Sequence, residues 1–125
     1  GIAEITDEGY YQFASAYRDT RNLEGKIVER LRVGTVDAFQ GKEFDVVFLS
    51  ITRSNDINPV REELYPKKYG FLMLENRLCV AMSRQQRLLI TVGDLEMVKA
   101  ENAPLAVREL VDFYQLCQQS CGKII

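Results

Sequence analysis

A chain of 125 residues, 46% of them hydrophobic, is long enough for one packed core and too apolar for intrinsic disorder. With 16 Lys and Arg against 18 Asp and Glu, the formal net charge of −2 excludes a strongly basic coat and confines any nucleic-acid contact to a local patch. The chain has no histidine, which excludes a Ser–His or Cys–His nucleophile and an imidazole base.

Tyr10, Phe13, Ala14 and Tyr17 recur at helical spacing and predict an amphipathic helix over 7–18. The polar stretch from Arg18 to Lys26 follows, with Asn22 and Gly25 as turn formers. A strand is expected over 27–36, feeding a tight polar loop from Asp37 to Asp45. The run from Val46 to Ile51 is apolar without alternation, as in a parallel strand covered on both faces. Residues 53–72 read as irregular, broken at Asn58-Pro59 and Tyr65-Pro66. A helix over 73–86 would bury Leu74, Leu78, Ala81 and Met82 as one stripe. Leu88 to Val92 makes a second buried strand, closed by Gly93-Asp94. A last helix over 104–119 starts near Pro104 and stops before Gly122, with Val107, Leu110, Val111, Tyr114 and Cys117 as its apolar face. This order defines an α/β layer architecture with a mostly parallel sheet, whose ligands gather at the carboxyl ends of the strands.

The cysteines Cys79, Cys117 and Cys121 have no metal-ligand spacing and read as reduced thiols of an intracellular protein, cytoplasmic or nuclear. No apolar run approaches the roughly 20 residues that span a bilayer, so no membrane partner is expected. The opening Gly1-Ile2-Ala3-Glu4 lacks the basic, apolar build of a signal peptide and has no initiator Met, which suggests an excised piece.

Two segments concentrate chemistry. The first, Thr35-Val36-Asp37-Ala38-Phe39-Gln40-Gly41-Lys42-Glu43-Phe44-Asp45, packs more polar groups into one connection than a turn requires. Gly41 allows close backbone approach to a ligand, Lys42 offers a point charge for phosphate, and Glu43 can accept from a ribose hydroxyl. On residue chemistry alone, it also reads as a solvated loop. The second runs from Asn76 to Arg87 and includes Arg77 and Arg84. On a helix, Arg84 would lie on the flank of the apolar stripe near Arg77, aimed at a phosphate or simply complementing the helix dipole.

Together these segments resemble motifs V and VI of superfamily 1 helicases, closest to the group of nonsense-mediated-decay helicases within the AAA ATPases. The blocks that match are Val36-Asp37-Ala38-Phe39-Gln40-Gly41-Lys42-Glu43, Thr52-Arg53-Ser54-Asn55 after an apolar strand, Gly70-Phe71-Leu72, and Arg77-Leu78-Cys79-Val80-Ala81-Met82-Ser83-Arg84. They occur in family order from Val33 to Asp94. The resemblance implies a RecA-like lobe, a mostly parallel sheet flanked by helices, with ATP bound between it and a first lobe. It implies that Gly41, Lys42 and Glu43 line the nucleotide and that Arg84 is the arginine finger on the γ-phosphate. It implies further that Thr35, Asp37, Arg53, Ser54 and Asn55 meet single-stranded DNA or RNA. The chain departs from the family at Cys79, at Gln85 and at Gln86, where a second basic residue is usual.

No lysine is followed by Ser or Thr, and no Asp-Glu pair follows an apolar strand, so the phosphate loop and the Mg²⁺ ligands are missing. The expectation is a single domain over 1–125, the C-terminal portion of a second helicase lobe, inactive alone. ATP would be its substrate, Mg²⁺ would be held by a first lobe of the same parent chain, and that lobe would be its partner. The alternative is a non-catalytic interaction module derived from such a lobe. The segment from Asp56 to Lys68, with Arg61, Lys67 and Lys68, is either an added contact element or a floppy insertion.

Overall fold

Glycines in the left-handed conformation shape the N-terminal segment. Gly9 (φ +84°) and Gly25 (φ +77°) sit in turns that other residues adopt only with strain. Strands β1 (Ala3–Ile5) and β2 (Tyr11–Phe13) pair antiparallel, with Ala3 opposite Phe13 and Ile5 opposite Tyr11. The Thr6 hydroxyl accepts the Tyr10 N–H at 3.1 Å and its carbonyl accepts the Gly9 N–H at 2.8 Å, closing the turn. This hairpin replaces the helix expected over 7–18, of which only a 3-10 turn at Ser15–Tyr17 is helical. Tyr10, Phe13, Ala14 and Tyr17 suit a helix, but Tyr11 and Phe13, two apart, share one face of a pleat, and the Thr6–Gly9 turn decides for the strand.

A second hairpin joins β3 (Thr20–Arg21) to β4 (Ile27–Val28). Asn22 Oδ1 accepts the N–H groups of Glu24 and Lys26 at 3.0 and 2.9 Å, an Asx-type turn. The strand expected over 27–36 is therefore cut to Ile27–Val28. Its partner ends at Thr20, opposite Val28, and no ladder remains for residues 29–35.

The computed structural model describes every residue except 120 and 121, so Cys121 lies outside the described residues. It has two compact units, Gly1–Gly34 and Thr35–Ile125. The second contains β5 (Phe44–Ser50), α1 (Tyr65–Tyr69), α2 (Glu75–Ala81), β6 (Gln85–Val92), α3 (Glu96–Lys99), α4 (Ala103–Ala106) and α5 (Arg108–Cys117). Strands β5 and β6 pair in parallel from Phe44–Gln85 to Ser50–Val92, and the crossover between them carries α1 and α2. This is the mixed α/β architecture with a parallel sheet and flanking helices that the apolar runs imply.

The strands are not covered on both faces, as their composition suggests. Val47 is buried, whereas Phe48 on the opposite face is 72% exposed and Val92 60%. The core lies instead among the helices, where Tyr69, Leu78, Met97, Val107, Leu110 and Val111 pack together. Three helical expectations are also corrected. The helix expected over 73–86 spans only Glu75–Ala81, leaving Leu74 exposed and Met82 half-buried. The helix expected over 104–119 is broken at Val107 (φ −144°, ψ 51°) into α4 and α5. Pro66, read as a breaker, instead opens α1 in the first turn, where its missing N–H has no intrahelical acceptor to lose.

Candidate nucleotide-facing edge and strand-end cluster

Because β5 and β6 run parallel, the residues that precede them meet at one edge. Gly41, Lys42 and Glu43 lead into Phe44, Arg84 leads into Gln85, and the Phe44 N–H donates to the Arg84 carbonyl at 2.9 Å. Gly41 takes φ +74° with open space where a Cβ would stand, so the backbone angle rather than crowding calls for glycine. Arg84 is not on α2, where the helical reading put it, but in the turn after it. Its Nε donates to Val80 O at 3.0 Å, Nη2 to Ser83 Oγ at 2.9 Å and Nη1 to Lys42 O at 3.4 Å. The fork thus ties the motif VI turn to the motif V loop.

Glutamines at two of the three departures from the family pattern also act here. Gln86 Nε2 donates to Glu43 Oε2 at 3.1 Å. Gln85 Nε2 caps Met82 O at 2.9 Å, while its Oε1 is buried with no hydrogen-bond partner. Sequence reasoning missed both contacts. The only signal was the substitution itself.

The loop from Asp37 to Asp45 was expected to follow a strand and so to lie at a carboxyl end. With residues 29–35 irregular, it feeds the amino end of β5. Thr35 precedes the 3-10 turn Val36–Phe39 and is exposed, its carbonyl accepting the Ala38 N–H at 3.0 Å. Asp37 pairs with Arg77 at 3.5 Å, and the Arg77 guanidinium sits 5.6 Å from the Phe71 ring centre.

Arg53, Ser54 and Asn55 form a separate cluster at the carboxyl ends of the strands. Seven residues of β5 separate the two sets, on the order of 20 Å at about 3.3 Å per residue. Arg53 Nε donates to Lys68 O at 2.8 Å and Nη2 to Lys67 O, while Asn55 Nδ2 donates to Lys68 O at 2.9 Å. These are carbonyls of the last turn of α1, where a cation is favoured by the helix dipole. Gly70 (φ +54°) lies against the Arg53 guanidinium, where a Cβ would meet Cζ at 3.4 Å. The Ser54 hydroxyl donates to Asp94 Oδ2 at 2.6 Å, and the Glu96 N–H to Oδ1 at 3.0 Å. The Ser54 hydrogen bond, then the Glu96 N–H and the nearby Lys68 ammonium, hold the Asp94 carboxyl below its usual range.

The segment from Asp56 to Lys68 is therefore anchored. Asn102 Nδ2 donates to Pro59 O at 3.2 Å, its Oδ1 accepts the Tyr69 hydroxyl, and Lys68 is buried. Burial pushes the Tyr69 phenol up, and Tyr65 adds to the shift. Of the expected basic cluster, Arg61 and Lys67 remain exposed. Among the described residues, no three His, Cys, Asp or Glu side chains group to hold a metal ion. No described helix is long and apolar enough to cross a membrane.

A family profile described as an AAA domain matches residues 10–96, more than half of the chain. The chain belongs to this family, of the superfamily 1 helicase type. DNA polymerase alpha-associated DNA helicase A of Saccharomyces cerevisiae is 44% identical over 69 residues, 55% of this chain and 9% of that protein. The helicase required for RNAi-mediated heterochromatin assembly 1 of Schizosaccharomyces pombe is 43% identical over 75 residues, 60% of this chain and 6% of that protein. Regulator of nonsense transcripts 1 of Caenorhabditis elegans is 33% identical over 116 residues, 91% of this chain and 10% of that protein. The chain thus spans a tenth or less of these relatives' lengths. No solved structure matches it.

Proposed function

We propose that the chain is the C-terminal portion of the second RecA-like lobe of an ATP-dependent helicase, completed by a first lobe that holds the phosphates and Mg²⁺. In this reading Gly41, Lys42 and Glu43 border the nucleotide, with Glu43 accepting from a sugar hydroxyl. Arg84 reaches the γ-phosphate. A fixed cation there stabilises the charge that spreads over the phosphoryl oxygens during transfer. The observation that carries the reading is the meeting of the two motifs at one strand edge, with Arg84 Nη1 at 3.4 Å from Lys42 O. Its Nη contacts are to neutral acceptors, a carbonyl and a hydroxyl, which a phosphate oxygen outcompetes as a charged acceptor.

Single-stranded DNA or RNA is the proposed track. Thr35 and Asp37 would meet it from the loop before β5, and Ser54 from the strand-end cluster. Arg53 and Asn55 spend donors on α1 carbonyls, so their contribution to the track is to hold the loop in place. Contacts of this kind position a strand without reading its sequence.

ATP hydrolysis by the complete protein, with and without single-stranded nucleic acid, tests the reading. Turnover should be stimulated by the strand and should fall on the order of 10³-fold in Arg84→Ala. A complete protein that carries a phosphate loop but shows no turnover would leave the non-catalytic interaction module as the function.

A further inference from the structure

We infer that Gln86 is a positioning residue that orients Glu43 toward the nucleotide sugar. The inference rests on the reading above, in which Glu43 meets a sugar hydroxyl. Three observations lead to it. First, Gln86 Nε2 donates to Glu43 Oε2 at 3.1 Å across the strand pair. Second, the ladder is irregular at this point. Phe44 pairs with Gln85 and Val46 with Leu88, so Gln86 and Arg87 together oppose Asp45. A bulge of this kind re-aims side chains beside functional sites. Here it lets Gln86 reach Glu43 while Arg87 reaches Asp45 at 3.3 Å.

Third, the chemistry of the pair suits an acceptor site. Arg87, the nearest cation on β6, is spent on Asp45 and not on Glu43. A neutral amide fixes one carboxylate oxygen without neutralising the charge, and leaves Oε1 to accept from a ligand hydroxyl. A lysine in the place of Gln86 would keep a donor to the same carboxylate oxygen. Gln86 therefore acts on sugar recognition through Glu43, without itself touching the phosphates.

The test is steady-state hydrolysis by the complete protein of ATP and of 2′,3′-dideoxy-ATP, which lacks both sugar hydroxyls. Wild type, Gln86→Ala and Gln86→Lys are compared. Gln86→Ala should raise KM for ATP about three- to tenfold, the size of one typical net hydrogen bond, with little change in kcat. The same variant should leave KM for the dideoxy nucleotide unmoved, and Gln86→Lys, which retains a donor, should recover most of the loss. An equal rise for both nucleotides would mark a merely structural role and overturn the inference. So would a Gln86→Lys variant no better than Gln86→Ala, or a silent Gln86→Ala in an enzyme that still depends on Arg84. Wild-type protein without turnover overturns the helicase reading, and this inference with it.

Discussion

Single residues at the strand ends carry interactions that experiments can isolate. Asp94 has a folded pKa below its unfolded value, so its contribution to stability is complete above about pH 4 and is lost as the pH falls through the lower folded value. The expected result is that wild type exceeds Asp94→Asn in stability between about pH 4 and 6 and that this advantage shrinks as the pH falls below about 4, read from urea melts across the acid range. Gly93 is a different case, since its constraint is space. A Cβ there would stand 2.9 Å from Ile51 Cβ and 3.2 Å from Ile51 O. Gly93→Ala should destabilise by about 1–3 kcal/mol in chemical denaturation, because the neighbour that must give is partly backbone. Gly93-Asp94 was legible as the end of a strand, but the Ser54 contact was not. The partners are 40 residues apart, and no local pattern links them.

At the level of elements, tertiary contacts override periodicity. Apolar residues at helical spacing over 104–119 did mark a real helical face, and Val107, Leu110 and Val111 are its buried part. The break at Val107 was not visible, because helix propensity changes little across it and only packing selects the bend. Leu110→Ala, in the helix beyond the break, should cost about 2–4 kcal/mol by leaving a cavity against the core. Tyr69 tests the anchoring of the preceding segment. Tyr69→Phe removes the donor to Asn102, a contact worth about 1–2 kcal/mol, and should speed proteolysis within 56–68 before it affects global unfolding. Unchanged cleavage there would show that the segment is held by something other than the Tyr69–Asn102–Pro59 chain. The reading of 53–72 as irregular holds for 53–61 and fails from Glu62 onward, for a physical reason. Its order comes from side chains at Arg53, Asn55 and Asn102 that cap or bridge backbone groups, and such bonds leave no periodic trace.

Across the whole molecule, burial is uneven. None of the residues 1–34 is buried, whereas every buried hydrophobic residue belongs to the unit from Thr35 to Ile125. Short hairpins without a buried face are marginal in water. Hydrogen exchange should therefore be fast throughout 1–34 and slowest at β5, β6 and α5, measured by mass spectrometry on the intact chain. Protection in β1 and β2 equal to that in α5 would contradict the division into a loose and a cohesive unit.

The sequence by itself determined the family, the two apolar strands and the order of the motifs. Those features are local, since strand runs, a glycine-bearing polar loop and an arginine-bearing turn can be read within a dozen neighbours. Only the tertiary structure decided which strand ends carry which residues. Parallel pairing of β5 with β6 brings Glu43 and Arg84 to one edge and sends Arg53, Ser54 and Asn55 to the other. Pairing direction and register depend on contacts some 40 residues apart, and the bulge that turns Gln86 toward Glu43 exists only once the strands are side by side.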